Sequence, residues 1–228
     1  MYLIGLDDTD NLESRGTGQL AREIATALAA DHTLLGVTRH QLLIDARVPC
    51  TKNNSCAAIA LEANGHLDPS ALLDQVREMM LNDFQPGSDP GLCIASTVPA
   101  AITEFGHQAQ QRLVSQDQAR ALAAAHSIPL LGLGGDEDGV IGALAAVGLA
   151  ASGEDGRYVL VGRSRELTGL QPVPAILAAG ITAVQTLDGQ PVTNGLIQTD
   201  KMRPARRTSR PILVVEQAGD HWLPLKLD

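Results

Sequence analysis

Residues 140–151, VIGALAAVGLAA, carry no polar side chain. A helix that is apolar on every face cannot lie on a surface with one side in water, so it must be surrounded by other elements. Gly142 and Gly148 interrupt the run and allow a neighbouring backbone to come close. The fold therefore needs enough structure to enclose a helix. With 228 residues and 44% hydrophobic content the chain supplies it, as one large domain or two modest ones.

The periodicity along the rest of the chain predicts a mixed α/β fold. Residues 2–6 read as a buried strand. Residues 17–30 place Leu20, Ala21, Ile24, Ala25 and Leu28 at helical spacing. Strand-like runs follow at 33–37, 42–48 and 57–61. Asp68 and Pro69 then form an N-cap and first turn for a helix through Leu81, with Leu72, Leu73, Val76 and Met80 on its core face. QPGSDPG (85–91) breaks the pattern before an apolar strand. Ser115 and Gln118 have the spacing of a capping box opening a helix to about His126, and IPLLGLGG reads as one more buried strand. After SGEDG (152–156) the texture changes to short strands at 157–163, 181–187, 210–216 and 221–227, with a short segment between Pro172 and Gly180. This places a boundary near residue 154, between an α/β domain (1–153) and a smaller α+β domain (154–228).

Charge and cysteine usage exclude several classes. A formal charge of −9 argues against generic attraction of the whole surface to nucleic acid or an anionic membrane, while leaving room for a local basic patch. Cys50, Cys56 and Cys93 are odd in number and contain no C-x-x-C pair, so they read as reduced thiols in a cytoplasmic protein rather than a disulfide framework or zinc ribbon. MYLIGL is too short for a signal-peptide core, and no run reaches the ~18 apolar residues of a membrane span. The expectation is a cytoplasmic chain with no membrane partner.

Chemistry concentrates in GLDDTDNLESRGTGQLARE, residues 5–23. Asp7, Asp8 and Asp10 crowd the end of the first strand, where like charges repel unless a cation sits among them. Hard oxygen ligands of this kind suit Mg²⁺ shared with phosphate oxygens. Equally, Asp8 and Asp10 can cap a turn and a helix while solvated. Arg15, Gly16, Thr17 and Gly18 open the following helix, giving either a phosphate cradle of free backbone N–H groups or a simple threonine cap. No Walker loop exists in the chain.

RVPCTKNNSC (47–56) offers Lys52, Asn53, Asn54 and Ser55, which can hold phosphate or form a solvated turn. In GLGGDEDGVIGALAA (132–146), Gly135, Gly139 and Gly142 mark a glycine-rich strand-to-helix junction whose spacing fails the dinucleotide fingerprint. KMRPARRTSR (201–210) holds five basic residues, suited to RNA or ligand phosphates, or else a solvated arm. His40 reads as structural.

Three of these stretches resemble one family. IGLDDTDNLESRGTGQLA resembles the Gly-(Ile/Leu)-Asp-Asp-Thr-Asp motif and following threonine of archaeal tRNA agmatidine synthetase. RVPCTKNNSCAAIA is similar to that family's proline-lysine-asparagine loop, and GDEDGVIGALAAVGLA to its glycine-containing helix, in the same order and spacing. RPARRTSRPILVVE is a looser match to the end of the family's ferredoxin-like, agmatine-binding domain.

The resemblance implies a kinase-like α/β domain followed by a ferredoxin-like α+β domain, without counterparts of the family's OB-fold and zinc ribbon. It implies ATP and Mg²⁺ as cofactors, Asp7, Asp8 and Asp10 as metal ligands, and Thr17 as an autophosphorylation site. Lys52 would contact phosphate, with Asn53, Asn54 and Ser55 replacing the family's threonine-arginine-glycine. Gly139, Ile141, Gly142 and Ala143 would pack near the nucleotide.

The expected activity is ATP-dependent phosphoryl transfer or ligation onto a small acceptor such as a cationic amine, which Glu166 or Asp136 can attract. The alternatives are a tRNA-modification component acting through residues 201–210 or a partner subunit, and a nucleotide-sensing module without turnover. A homo-oligomer is compatible with all three.

Overall fold

The computed structural model describes residues 1–51, 53–200 and 202–227, and they divide into two compact units, Met1–Ser152 and Gly153–Asp228. Among the described residues no helix is long and apolar enough to cross a membrane.

In the first unit the elements run β1 (Tyr2–Asp7), α1 (Thr17–Leu28), β2 (Thr33–Gln41), β3 (Ser55–Glu62), α2 (Pro69–Asn82) and β4 (Gly91–Ala95). They continue with α3 (Ala100–Gln111), α4 (Gln116–Ala125), β5 (Leu130–Gly132) and α5 (Gly139–Ser152). The strands order as β5-β4-β1-β3-β2, and every pair is antiparallel. The α/β class stands. Helix α1 carries the chain from β1 to β2 and α2 carries it from β3 to β4, in each case to a parallel strand two places away with one antiparallel strand between them.

The apolar run becomes α5, and all its residues from Val140 to Ala150 except Ile141 are buried. It packs across β1, β4 and β3, with α3 and α4 against it, while α1 and α2 contact the sheet separately. Alternation along β1 sends Leu3 toward the α5 cluster and leaves Ile4 and Leu6, fully buried, for the opposite face. Gly148 is required where α5 crosses α3, because a side chain there would collide with the Ile102 carbonyl.

Local signals explain most boundaries. Asp68 caps α2 by accepting from Ser70 N–H, with Pro69 in the first turn. Ser115 and Gln118 form both bonds of the capping box that opens α4. Two departures are instructive. Residues 42–48 are not a strand: Leu42 N–H goes to Asn54 O and Leu43 N–H to Ala109 O, and Asp45 accepts from the Arg47 backbone in a local turn. Helix α3, in turn, lacks a side-chain cap and contains Gly106, so its only strong signal is the buried set Ile102, Phe105 and Ala109.

The second unit contains β6 (Arg157–Leu160), β7 (Leu170–Pro172), α6 (Val173–Ala178), β8 (Ala183–Gln185), β9 (Leu196–Gln198), β10 (Ala205–Arg207), β11 (Arg210–Ala218) and β12 (His221–Pro224). The long strand β11 organises it, pairing antiparallel with β10 and β12 and parallel with β8. A separate core forms around Tyr158, Ile176, Ile197, Leu213 and Val215. A ferredoxin-like β-α-β-β-α-β unit holds two helices, and here α6, of six residues, is the helix among the described residues.

Candidate functional site

A cleft opens where β1 ends. Its acidic wall is Asp7, Asp8, Asp10 and Asp138, joined by Thr17 at the start of α1. Its apolar wall includes Leu42, Leu43, Val48, Ala109, Val114 and Ile141, and Asn53, Asn54 and Thr51 come from the loop before β3.

The acidic wall is built by local geometry. Asp7 is the last residue of β1 and lies on the α5 face, where Gly142 makes room for it. Any side chain at position 142 would collide with the Asp7 carboxylate. Asp8 takes φ 49°, a left-handed conformation that aspartate tolerates better than most residues and that turns the chain sharply after the strand. Asp10 is held from two sides, accepting from Thr17 Oγ1 and from Thr51 Oγ1, each at 3.0 Å. Thr17 Oγ1 also accepts from Thr9 Oγ1 at 3.1 Å. Thr17 is not a helix cap; Gly16 holds the cap position, without a side-chain hydrogen bond.

Further carboxylates converge from distant parts of the chain. Because β1 pairs antiparallel with β4, with Asp7 opposite Gly91, the residues just before β4 lie beside those just after β1. That brings Asp89 close to Asp8. Asp89 Oδ1 accepts from Asp136 N–H at 2.7 Å, and its carbonyl accepts from Gly139 N–H at 2.9 Å, fastening the glycine-rich junction. From α4, Gln116 Nε2 donates to Asp136 O and to Asp138 Oδ1, and Arg120 pairs with Glu137.

The electrostatic result is a strained set of like charges. Burial, then the Asp8 charge and more weakly Asp10, pushes Asp7 up to about 7 against an opposing backbone hydrogen bond. Burial, then Asp89, Asp10 and Asp138, pushes Asp8 up to about 6. Among the described residues the one cationic side chain lining the cleft is the exposed Arg112.

The sequence candidates separate into groups. Asp7, Asp8, Asp10, Thr17, Asn54, Gly139 and Gly142 come together at the cleft. Asn54, however, spends its amide on Leu43 O at 2.8 Å, and so fixes the loop. Arg15 turns outward to pair with Glu23 and Asp83. Gly16 and Gly18 do not line the cleft, and a side chain at Gly18 would meet open space. Gly135 takes φ +60° and packs on Asp89 rather than on the cleft. Lys52 lies outside the described residues. His40 is buried and bonded to Thr38 at 2.8 Å. Asp89, Asp138, Thr51 and the apolar wall other than Ile141 escaped the sequence reading. Only the strand register could have revealed Asp89, and QPGSDPG reads locally as nothing but a turn.

Comparison with known proteins adds to this geometry. No protein-family model matches the chain. An uncharacterized protein of Methanocaldococcus jannaschii is 26% identical over 157 residues, 65% of this chain and 49% of that protein. A crystal structure of TiaS in complex with an isoleucine tRNA and ATP shares 25% identity with a TM-score of 0.57, covering 64% of this chain and 36% of that one. The fold is similar to TiaS. The structure of a tRNA fluorescent labeling enzyme matches equally, at 25% identity and TM-score 0.57, over 64% of this chain and 35% of that one. The chain thus spans about half the length of the curated relative and about a third of the solved chains. TiaS has been solved with tRNA and ATP, and with AMPCPP and agmatine.

Proposed function

We propose that the cleft of the first unit binds ATP with a divalent cation and directs phosphoryl transfer or ATP-dependent ligation. The observation that carries this reading is the convergence of Asp7, Asp8, Asp10, Asp89 and Asp138 beside an apolar wall, with little positive charge to balance them. Similarity to TiaS, solved with ATP, supports it.

The residues fit Mg²⁺ in donor chemistry, being hard oxygens, with the proton affinity of Asp7 and Asp8 raised by burial and neighbouring charge. Among the described residues no three acidic, imidazole or thiol groups close on one point, so phosphate oxygens and water would complete the ligand set. Such an ion would neutralise charge on the phosphates. The apolar wall of Leu42, Leu43, Val114 and Ile141 suits the face of a nucleobase, while Asp8 and Asp138 sit at the polar end. Thr17 donates its hydroxyl proton to Asp10, the arrangement that readies an oxygen to accept a phosphoryl group. A small amine is the acceptor most compatible with an acidic cleft. A second reading, with RNA as acceptor, is favoured by the tRNA bound in the solved TiaS complex.

Calorimetric titration of ATP with and without Mg²⁺, on the wild type and Asp8→Asn, tests the reading. Metal-dependent binding that weakens about tenfold or more in the variant is expected. Binding indifferent to both Mg²⁺ and the substitution would overturn it. Mass spectrometry after incubation with Mg-ATP then asks whether Thr17 gains a phosphoryl group.

A further inference from the structure

The second unit holds a cleft of its own, with charge of the opposite sign. Its walls include Ser164, Arg165, Thr199, Asp200 and Arg203. Arg165 lies on the turn after β6 and Arg203 just before β10, far apart in sequence and together in space.

Neither guanidinium meets a carboxylate among the described residues. Arg165 gives one N–H to Val159 O at 3.2 Å, and Arg203 gives one to Met202 O at 2.7 Å. A guanidinium carries five donors, so most of each fork remains unused. Arg203 is half-buried, and its charged form is disfavoured first by burial and then by Arg165, which places the two cations within electrostatic reach. Asp200 is turned to other work: its Oδ1 accepts from Gly169 N–H at 3.0 Å and its Oδ2 from Gln198. The Ser164 and Thr199 hydroxyls are buried and donate to Val161 O and Gly169 O, so the donors left for a ligand are the two guanidinium forks.

Among the described residues of 202–210, no basic side chain other than Arg203 lines this cleft. Arg206 is buried, its guanidinium 2.8 Å from the Tyr158 hydroxyl, and Arg207 donates to Glu154 O and Arg206 O. Lys201 lies outside the described residues. Arg203, Arg206 and Arg207 thus have different surroundings.

We propose that the Arg165–Arg203 cleft binds a phosphate group. Two planar forks facing one space match a tetrahedral anion, which takes bidentate hydrogen bonds on two edges at once. A carboxylate would engage one fork and leave the other cation unbalanced. All the residues that line the site belong to the second unit.

The test titrates the full chain, without divalent cations, with inorganic phosphate and separately with a short single-stranded RNA. Wild type, Arg165→Gln and Arg203→Gln are compared. Phosphate binding that weakens about tenfold or more in each variant is expected, and assigns the site to a free or terminal phosphate. RNA binding that falls in both variants, with a salt slope reduced by about one contact, assigns it to a strand phosphodiester instead. Both outcomes support the cleft as a phosphate site. Failure of both ligands to bind, or affinities that the variants leave unchanged, overturns it. Arg165 is exposed, so Arg165→Gln alone decides should Arg203→Gln fail to fold.

Discussion

The two clefts are electrostatic opposites. In the first unit five aspartates gather near one exposed arginine; in the second, two arginines share a space with one carboxylate, Asp200, whose oxygens already accept from Gly169 N–H and Gln198. Each arrangement costs folding free energy, because like charges are held near one another in partly desolvated surroundings. Such a cost persists where a ligand of opposite charge supplies the balance. The sign of the unbalanced charge then names the ligand class: a cation in the first cleft, an oxyanion in the second.

The sharpest way to break the first half of this comparison is Gly142→Ala. The added methyl would collide with the Asp7 carboxylate and drive it from its place against α5. A loss of about 2 kcal/mol of stability is expected from overpacking, together with about a tenfold or greater loss of Mg-ATP affinity. Thermal unfolding and calorimetry measure the two effects. Full affinity in a folded variant would remove Asp7 from the nucleotide site.

Acid titration separates the clefts without mutation. Cation binding needs ionised carboxylates, and Asp8 and Asp7 lose their protons only near 6 and 7. Mg²⁺ affinity should climb steeply between about pH 5 and pH 8, where ordinary aspartates near 4 would already be ionised. Sulfate, a dianion throughout that range, should bind the arginine cleft with little change, since guanidinium stays charged. A flat Mg²⁺ profile would mean that these carboxylates do not hold the ion.

The same groups leave a mark on the metal-free protein. Their folded pKa values stand above the unfolded 3.8, so the native state binds more protons between about pH 4 and pH 7. Their contribution is fully present below the unfolded value and is lost as pH rises through the folded ones. Asp7→Asn should therefore raise metal-free stability by about 1–2 kcal/mol at pH 8, some 2–8 °C in Tm, and by almost nothing near pH 4. Equal melting at both pH values would show that Asp7 is not electrostatically strained.

How far the sequence revealed these two sites follows from how each is assembled. Asp7, Asp8 and Asp10 fall within four residues of one another, so their repulsion is visible in a string of letters, as is the burial of α5. Asp89 and Asp138 reach Asp8 through strand register and the fastening of the junction, and Arg165 meets Arg203 across a turn and a strand boundary. Local pattern carries no such information. It also misreads residues 42–48, whose apolar letters line a cleft wall at Leu42, Leu43 and Val48 instead of pairing in a sheet, while Ile44 stays exposed. Arg15, beside a promising helix start, is claimed by Glu23 and Asp83, a choice that only the packed structure makes.

The smallest expected effect sharpens the first cleft's membership. Gln116 is partly buried on α4, and its amide reaches Asp138 Oδ1 at 2.6 Å and Asp136 O at 2.7 Å. It contributes no charge, so its influence on a cation can pass only through the orientation of Asp138 and the junction. Gln116→Ala should leave Tm within about 1–2 °C, because surface bonds of this kind contribute little to stability. If Asp138 must be aimed, Mg-ATP affinity falls about threefold, the equivalent of one neutral hydrogen bond. If Asp138 acts only by its charge, affinity is unchanged while Asp138→Asn still weakens it. The two variants together distinguish a carboxylate that ligates from one that merely deepens the negative field around Asp8.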